Sequence, residues 1–381
     1  MIENKEIQGF SEEEGFNYQL NRWYHAIGET AYEDLRSIGG RVTTMKEYIE
    51  AFLELAKVRE KEGELKKAAY YYRAAEFFIP ADASNKQVLR KKVIELMKEV
   101  FEIQKEQSFE VPYKDTSIPA YKFEVSNSRG TIVIFGGYDS YIEELASYFK
   151  YFNTAGYNVI AFEGPGQGAA LEEKQLILTH SWEEPVKCIM DYFNLEDVTL
   201  IGMSLGGMLA IRAAAYEKRV KRVIAFDVMY DFYESFESQC SSKVKEVLNI
   251  LIDTGQKDKL NEMMTDSMNR FPKVAWGIQQ GMHVTGAHTP YDYLVAIKAF
   301  TTKECAHLVE QDVLLMAGTK DQYVPLGMLY KQIGALTTAK SITARIFTEA
   351  EHAQDHCQTS NIKLALDTIT DWIAHVSKIT N

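Results

Sequence analysis

Apolar and polar positions recur with two different periods along this chain, and the change falls near residue 107. Before it, Leu65, Ala69, Tyr72, Ala75 and Ile79 follow one another at spacings of three and four, as do Leu89, Val93, Leu96, Val100 and Ile103. Lys and Glu fill the positions between, so both stretches predict amphipathic helices with one buried stripe. The segment GELKKAAYYYRAAEFFIP has the composition of a helical repeat, but no second copy follows at a fixed period, which excludes a solenoid. Its aromatic residues Tyr70, Tyr71, Tyr72, Phe77 and Phe78 are expected in a core rather than on a surface.

After residue 107 the period shortens. SFEVPYKD and IPAYKFEV alternate and predict an antiparallel pair. TIVIFGG, NVIAFEG, DVTLIGMS, VKRVIAFDV, DVLLMAGT and ARIFTEA then follow, and most of them read as strands buried on both faces. Helical segments near 140–155, 182–193, 205–217, 325–336 and 358–377 separate most of these runs, the alternation that builds a parallel sheet with helices on both faces. The alternation lapses once, between residues 228 and 312. A structureless loop of that length is implausible, and SSKVKEVLNILIDTG, KLNEMMTDSMNRF and PYDYLVAIKAF predict a helical insertion at about 231–308, after the sixth strand. The expected organisation is an N-terminal helical domain over 1–106 and an α/β domain over 107–381.

Composition narrows the function classes. The 381 residues are 46% hydrophobic and 25% charged, ordinary globular values, with a net charge of −12. An acidic chain has no footprint for nucleic acid or for an anionic membrane surface. No window is apolar enough for a membrane span, and the acidic start does not resemble a secretory leader. The four cysteines lie far apart without a CxxC pair, so free thiols are expected and a zinc site is not. These features predict a soluble cytoplasmic protein acting on a small molecule, without nucleic-acid or membrane partners.

Chemistry enters at VTLIGMSLGGMLAIRAAA, where a strand turns into an alanine-rich helix at Ser204. A nucleophile elbow needs this strand, tight turn and helix, because only a sharp bend presents a serine hydroxyl at the carboxyl edge of a sheet. Gly202 and Gly206 suit the crowded turn, and a serine in an ordinary strand-to-helix turn is the bland alternative. An acid and then a histidine should follow at the ends of later strands. MAGTKDQYVP places Asp321 there, and ARIFTEAEH places His352. His356, further into the loop or the next helix, is the rival base, and His352 is preferred for its position at the sheet edge. His283 and His288 lie in the insertion, in the wrong chain order, and are expected to be structural or pocket-lining.

The amide of Leu205 and that of Tyr138 or Gly137, in IVIFGGYDS, are the candidate oxyanion donors, and Ser140 is read as the N-cap of the following helix. FEGPGQG lacks the spacing of a dinucleotide fingerprint and has no GK[ST], so it is read as a tight loop after a strand. Asp231 and Glu234 begin the insertion close to the elbow. Helix capping or solvation is their ordinary role; as candidate substrate-binding residues they would meet a polar group in a pocket walled by the Met and aromatic residues of 263–294.

GGYDS at 136–140, EGPGQG at 163–168, GMSLGG at 202–207 and the helical segment containing YYRAAEFF together resemble the FrsA-like branch of the α/β-hydrolase superfamily, over nearly the whole chain and most weakly at 1–40 and 235–305. The resemblance implies an α/β-hydrolase fold with an N-terminal helical cap over the active site, and allows a homodimer. It implies a triad of Ser204, Asp321 and His352, no metal or organic cofactor, and hydrolysis of an ester through an acyl-enzyme. Cleavage of a carbon–carbon bond in a diketone-like substrate and amide cleavage are the alternatives. A non-catalytic binding protein on this fold is the rival from another class, and the full set of triad residues argues against it.

Overall fold

The apolar runs pair side by side in one eight-stranded sheet. In the computed structural model, which describes residues 7–379, the strands are β1 (Ser108–Tyr113), β2 (Thr116–Phe123), β3 (Thr131–Phe135), β4 (Asn158–Phe162), β5 (Val198–Met203), β6 (Val220–Phe226), β7 (Asp312–Gly318) and β8 (Ser341–Phe347). Their spatial order is β1-β2-β4-β3-β5-β6-β7-β8. The pairs β1/β2 and β2/β4 are antiparallel and the remaining neighbours are parallel. Every residue of β5 and β7 is buried, which is why these runs are continuously apolar. At the edge, β8 exposes Ile342, Thr343 and Ala344, and its sequence is correspondingly mixed.

Alternate side chains of each strand serve opposite faces. Val133, Leu200, Val223 and Leu315 pack against the helices Glu183–Tyr192, Leu205–Tyr216 and Gly327–Ala335. Ile132, Ile201, Ile224 and Leu314 share the other core with the helices Ala146–Thr154 and Ile362–Ile379. That second core runs on without a break into five N-terminal helices, α1 (Glu14–Ile27), α2 (Tyr32–Gly39), α3 (Met45–Lys61), α4 (Leu65–Phe78) and α5 (Lys86–Val100). The aromatic run of α4 is core, as expected, with Tyr70, Tyr71, Tyr72 and Phe77 all buried. The α5 helix stops before Ile103 because Glu102 adopts a left-handed φ of 52°, so the apolar period outlives the helix.

Five further helices, from Phe232–Ser238 to Pro290–Ile297, lie between β6 and β7. They carry a small core of their own around Leu248, Leu260, Ile278 and Leu294. Phe77 of α4 stacks on Trp276 of the inserted helix Pro272–Thr285, with ring centroids 4.8 Å apart, so the two helical layers meet above the sheet.

A buried ion network ties the N-terminal helices to the sheet. Arg73 donates from Nε to Glu144 at 2.6 Å, from Nη1 to Glu76 at 2.5 Å and from Nη2 to the Asp139 carbonyl at 2.5 Å. Arg22 reaches the other Glu144 oxygen at 2.6 Å, and Lys86 reaches Glu76 at 2.7 Å. Removing Arg73 leaves two buried carboxylates, Glu144 and Glu76, with one cation each, Arg22 and Lys86, and takes the donor from the Asp139 carbonyl. Arg73→Ala should therefore lower the unfolding free energy by about 3–5 kcal/mol. Urea titration checks this, and a loss below about 1 kcal/mol, the scale of an exposed pair, would show that the network is not structural.

Candidate active site

The site forms where β5 runs into the helix Leu205–Tyr216. Ser204 occupies the bend with φ 58° and ψ −124°, a backbone conformation that costs a non-glycine residue about 1–3 kcal/mol. Its neighbours hold it there. The Ser204 amide donates to the Phe226 carbonyl of the adjacent strand at 2.7 Å, and Gly207 N donates to the Ser204 carbonyl at 2.8 Å. The turn closes so tightly that a Cβ on Gly202 would lie 1.9 Å from the Gly206 carbonyl oxygen, and one on Gly206 would lie 2.5 Å from that of Gly136. Glycine at both positions is a steric requirement.

Three side chains converge at this rim. His356 Nε2 lies 2.8 Å from Ser204 Oγ, and His356 Nδ1 lies 2.7 Å from Asp321 Oδ2. The other Asp321 oxygen accepts from the amides of Tyr323 at 2.7 Å and Val324 at 2.8 Å, which locks the carboxylate just beyond β7. The Tyr323 ring packs edge-on against the imidazole, with centroids 5.1 Å apart. Burial acts to lower the His356 pKa, but the Asp321 carboxylate outweighs it and lifts the imidazole well above the ordinary histidine value. Burial acts to raise Asp321, and the facing His356 overcomes it and holds the carboxyl below its usual range.

The structure thus brings Ser204 and Asp321 together with His356, and the expectation of His352 is corrected. After β8 the chain makes a 3-10 turn, Glu349–Glu351, closed by a reciprocal Thr348–Glu351 capping box. His352 ends that turn in a left-handed conformation and is exposed. The chain then returns to the sheet: the Gln354 carbonyl accepts from Lys320 N at 2.8 Å beside Asp321, and this return carries His356 inward. The signal was in the sequence, because Thr-x-x-Glu ahead of His352 marks a capped turn.

The oxyanion loop lies against the elbow: a Cβ on Gly137 would sit 3.0 Å from Ser204 Cβ and 3.1 Å from Leu205 N. Leu205 is the first residue of its helix, so its amide has no intrahelical acceptor. The Gly137 amide donates to Ser140 Oγ at 3.4 Å. Ser140 is consequently not an N-cap, since its helix begins later, at Ala146, behind a 3-10 turn. FEGPGQG buttresses this loop through Gln167 Nε2, which donates to the carbonyls of Gly136 at 2.7 Å and Gly137 at 3.1 Å. From above, the Tyr138 hydroxyl donates to the Gly277 carbonyl at 3.1 Å, on an inserted helix.

Asp231 and Glu234 do not line the cavity and are corrected to structural roles. Asp231 caps the helix Phe232–Ser238, accepting from Glu234 N at 2.8 Å, and pairs with Lys303 at 2.8 Å. Glu234 pairs with Lys331. His283 pairs with Glu172 at 2.8 Å, and His288 is exposed. Asp227, which starts the same excursion directly after β6 and would ordinarily be solvated or cap a helix, is instead fully buried beside the histidine, its Oδ2 3.5 Å from His356 Nδ1. Asp227, His356 and Cys357 present ligand-type atoms within 4.8 Å of one another, but His356 Nδ1 is already engaged by Asp321, so hydrogen bonding accounts for the cluster.

Above the rim lies a cavity of about 1970 Å³, walled by α1, the oxyanion loop and the inserted helices. Met264, Trp276 and Tyr293 contribute from the region expected to form an apolar wall. Arg22 and Tyr18 enter from α1. Among the described residues no helix is long and apolar enough to cross a membrane.

A mostly parallel sheet with a serine elbow between β5 and its helix, and with a histidine and an acid at the ends of later strands, defines the α/β-hydrolase architecture. Residues 132–352 match the α/β hydrolase fold family, more than half of the chain, and the protein belongs to that family. Among curated proteins, a 20-hydroxy-prefusarin hydrolase of Gibberella moniliformis is 29% identical over 265 residues, covering 62% of this chain and 61% of that protein. A hydrolase of a Fusarium species is 26% identical over 270 residues with the same coverage, 62% and 61%. The chain thus spans about three-fifths of the length of these relatives. Among solved structures, 2,6-dihydroxy-pseudo-oxynicotine hydrolase shares the fold with a TM-score of 0.67 at 16% identity, covering 93% of each chain. AbyA5 does so with a TM-score of 0.65 at 15% identity, over 90% of this chain and 89% of the other.

The geometry separates the two histidines experimentally. Reaction of Ser204 with a fluorophosphonate should slow by at least about 10³-fold in His356→Ala, because the hydroxyl loses its base. In His352→Ala it should stay within about twofold, as for an exposed site away from the chemistry. Labelling rates that fall equally in both variants would remove the distinction.

Proposed function

We propose that this protein is a serine hydrolase that cleaves a carboxylic ester through an acyl-enzyme on Ser204. The observation that carries the reading is the position of His356, with one ring nitrogen 2.8 Å from Ser204 Oγ and the other 2.7 Å from the Asp321 carboxylate. Asp321 fixes the tautomer that leaves Nε2 as the acceptor. Ser204 Oγ attacks the carbonyl carbon and its proton passes to His356. The negative charge developing on oxygen meets the amide of Leu205 at the helix N-terminus and that of Tyr138 in the loop after β3. As the tetrahedral intermediate collapses, the carbon–oxygen bond breaks and His356 returns the proton to the leaving alkoxide. Water, deprotonated by His356, then attacks the acyl carbon and releases the acid and Ser204.

Residues 1–106 act in this reading as a cap, 107–381 as the catalytic domain and about 231–308 as a lid. The substrate is a small molecule with a sizeable apolar acyl part, in keeping with a cavity lined by Met264, Trp276, Phe77 and Phe78. The same nucleophile would serve a 1,3-diketone, with an enol carbon as leaving group protonated by His356. That second reading follows from the resemblance to the FrsA-like branch, and two solved structures share the fold over at least 90% of this chain.

Turnover of p-nitrophenyl esters and of 1,3-diketones tests the proposal. Ser204→Ala should lower kcat by about 10⁵–10⁶-fold on the true substrate class without loss of fold. The wild-type kcat/KM should rise with pH along a limb set by His356. Neutral imidazole is the base, and the Asp321 carboxylate holds its pKa above the ordinary value of about 6.5. Full activity in Ser204→Ala, or a limb below the ordinary histidine range, would overturn the mechanism.

A further inference from the structure

We infer that Asp227 is a second acid of the catalytic histidine, a positioning residue that holds the Asp321–His356 pair and can itself take over Nδ1. The inference rests on the hydrolytic reading of Ser204 given above. It starts from topology: β6 and β7 are neighbours, and each runs directly or within three residues into an aspartate at the same rim. Asp321 follows β7 and Asp227 follows β6 immediately, so the two carboxyls approach the imidazole from adjacent strands.

The contacts show what Asp227 is placed to do. Its Oδ2 lies 3.5 Å from His356 Nδ1, against 2.7 Å for Asp321, so it stands just behind the primary acceptor. The same oxygen accepts from the Cys357 amide at 2.9 Å, which fixes the residue next to the histidine. The peptide segment matters here, because Cys357 and Gln358 adopt left-handed φ values of 51° and 48° inside an irregular turn that no regular helix holds. The Cys357 thiol adds a contact to the Phe226 carbonyl at 3.6 Å. Asp227 is fully buried, and its Oδ1 has no hydrogen-bond partner. A merely structural position would be filled at less cost by an apolar side chain such as leucine.

The charges of the two acids are kept apart. Burial first, and then the adjacent Asp321 carboxylate, push Asp227 well above the carboxylate range, so it retains its proton. Asp321, facing the histidine, stays ionised. Two carboxyls facing one imidazole do not both ionise readily, so the proton stays on Asp227 while Asp321 carries the charge. The groups facing Asp227 are Asp321, His356 and the Cys357 thiol. If Asp321 loses its charge, its repulsion of a charge on Asp227 disappears, and Asp227 becomes the carboxylate nearest Nδ1.

A double-mutant cycle reads this directly. Where an acid acts alone, replacing it by its amide costs about 10⁴-fold in kcat, because the imidazole adopts the wrong tautomer. Here Asp321→Asn should cost only about 10–100-fold, Asp227→Asn a few-fold, and the double variant about 10⁴-fold. Equal rates for Asp321→Asn and the double variant would overturn the inference. The second readout needs neither activity nor a substitution at Asp227. In ¹⁵N-histidine-labelled Asp321→Asn, His356 should keep its proton on Nδ1, whereas transfer of that proton to Nε2 would show that no second acid takes over. If the wild type neither labels with fluorophosphonate nor hydrolyses esters or diketones, the hydrolytic reading fails, and the tautomer of His356 still decides the role of Asp227.

Discussion

The site depends on the closeness of backbone at the elbow. Ser204 holds a conformation that its own side chain disfavours, and it stays there because three strands and one helix leave it no alternative. The Ser204 amide is committed to Phe226 of β6, and Gly202, Gly206 and Gly137 bring main chain within contact of main chain. The hydroxyl is thereby set at the rim without flexible support, and the amides of the helix N-terminus lie beside it. Strain at this one residue is offset by packing that involves β3, β5, β6 and the helix Leu205–Tyr216 together, so Ser204 is as rigid as the sheet.

The second constraint is electrostatic and comes from outside the sheet. Arg73, on α4, donates to the carbonyl of Asp139 in the oxyanion loop and to Glu144 just beyond it. The N-terminal helices are therefore attached to the loop after β3 by a fully buried cation rather than by apolar contact alone. From the other side, Tyr138 is pinned to the inserted helix by its hydroxyl. The loop that follows β3 is thus held by three separate parts of the chain, α4, FEGPGQG and the insertion. Preorganised donors need that fixity, since an oxyanion site contributes only if it does not have to reorganise.

The fold was legible in the sequence because its central strands are buried on both faces while most of its helices keep a polar stripe, so the period of the apolar pattern changes where the architecture does. The elbow and Asp321 were legible for the same reason: each follows an apolar run at the sheet rim. The misplaced site residues turned on capping patterns that the sequence does carry and that position at the sheet rim outweighed. Thr348-x-x-Glu351 closes a turn that spends His352 before the chain returns, and Asp231-x-x-Glu234 is an N-cap rather than a pair of pocket carboxylates. In both places a local hydrogen-bonding pattern decides where the side chain points, and position relative to the sheet does not. The left-handed residues Cys357 and Gln358, neither of them glycine, leave no mark in the sequence at all.

The position of the histidine follows from that irregular segment, and it explains why acids stand on two strands. A base carried at the end of a regular helix would be oriented by the helix. His356 begins a turn whose φ values reverse sign twice within six residues, so its orientation must be imposed from outside. Asp321 holds the ring and Asp227 holds the peptide that carries it. The two contacts restrain different degrees of freedom, rotation of the imidazole and placement of its backbone. Together they set Nε2 2.8 Å from a serine whose own position is fixed by the elbow.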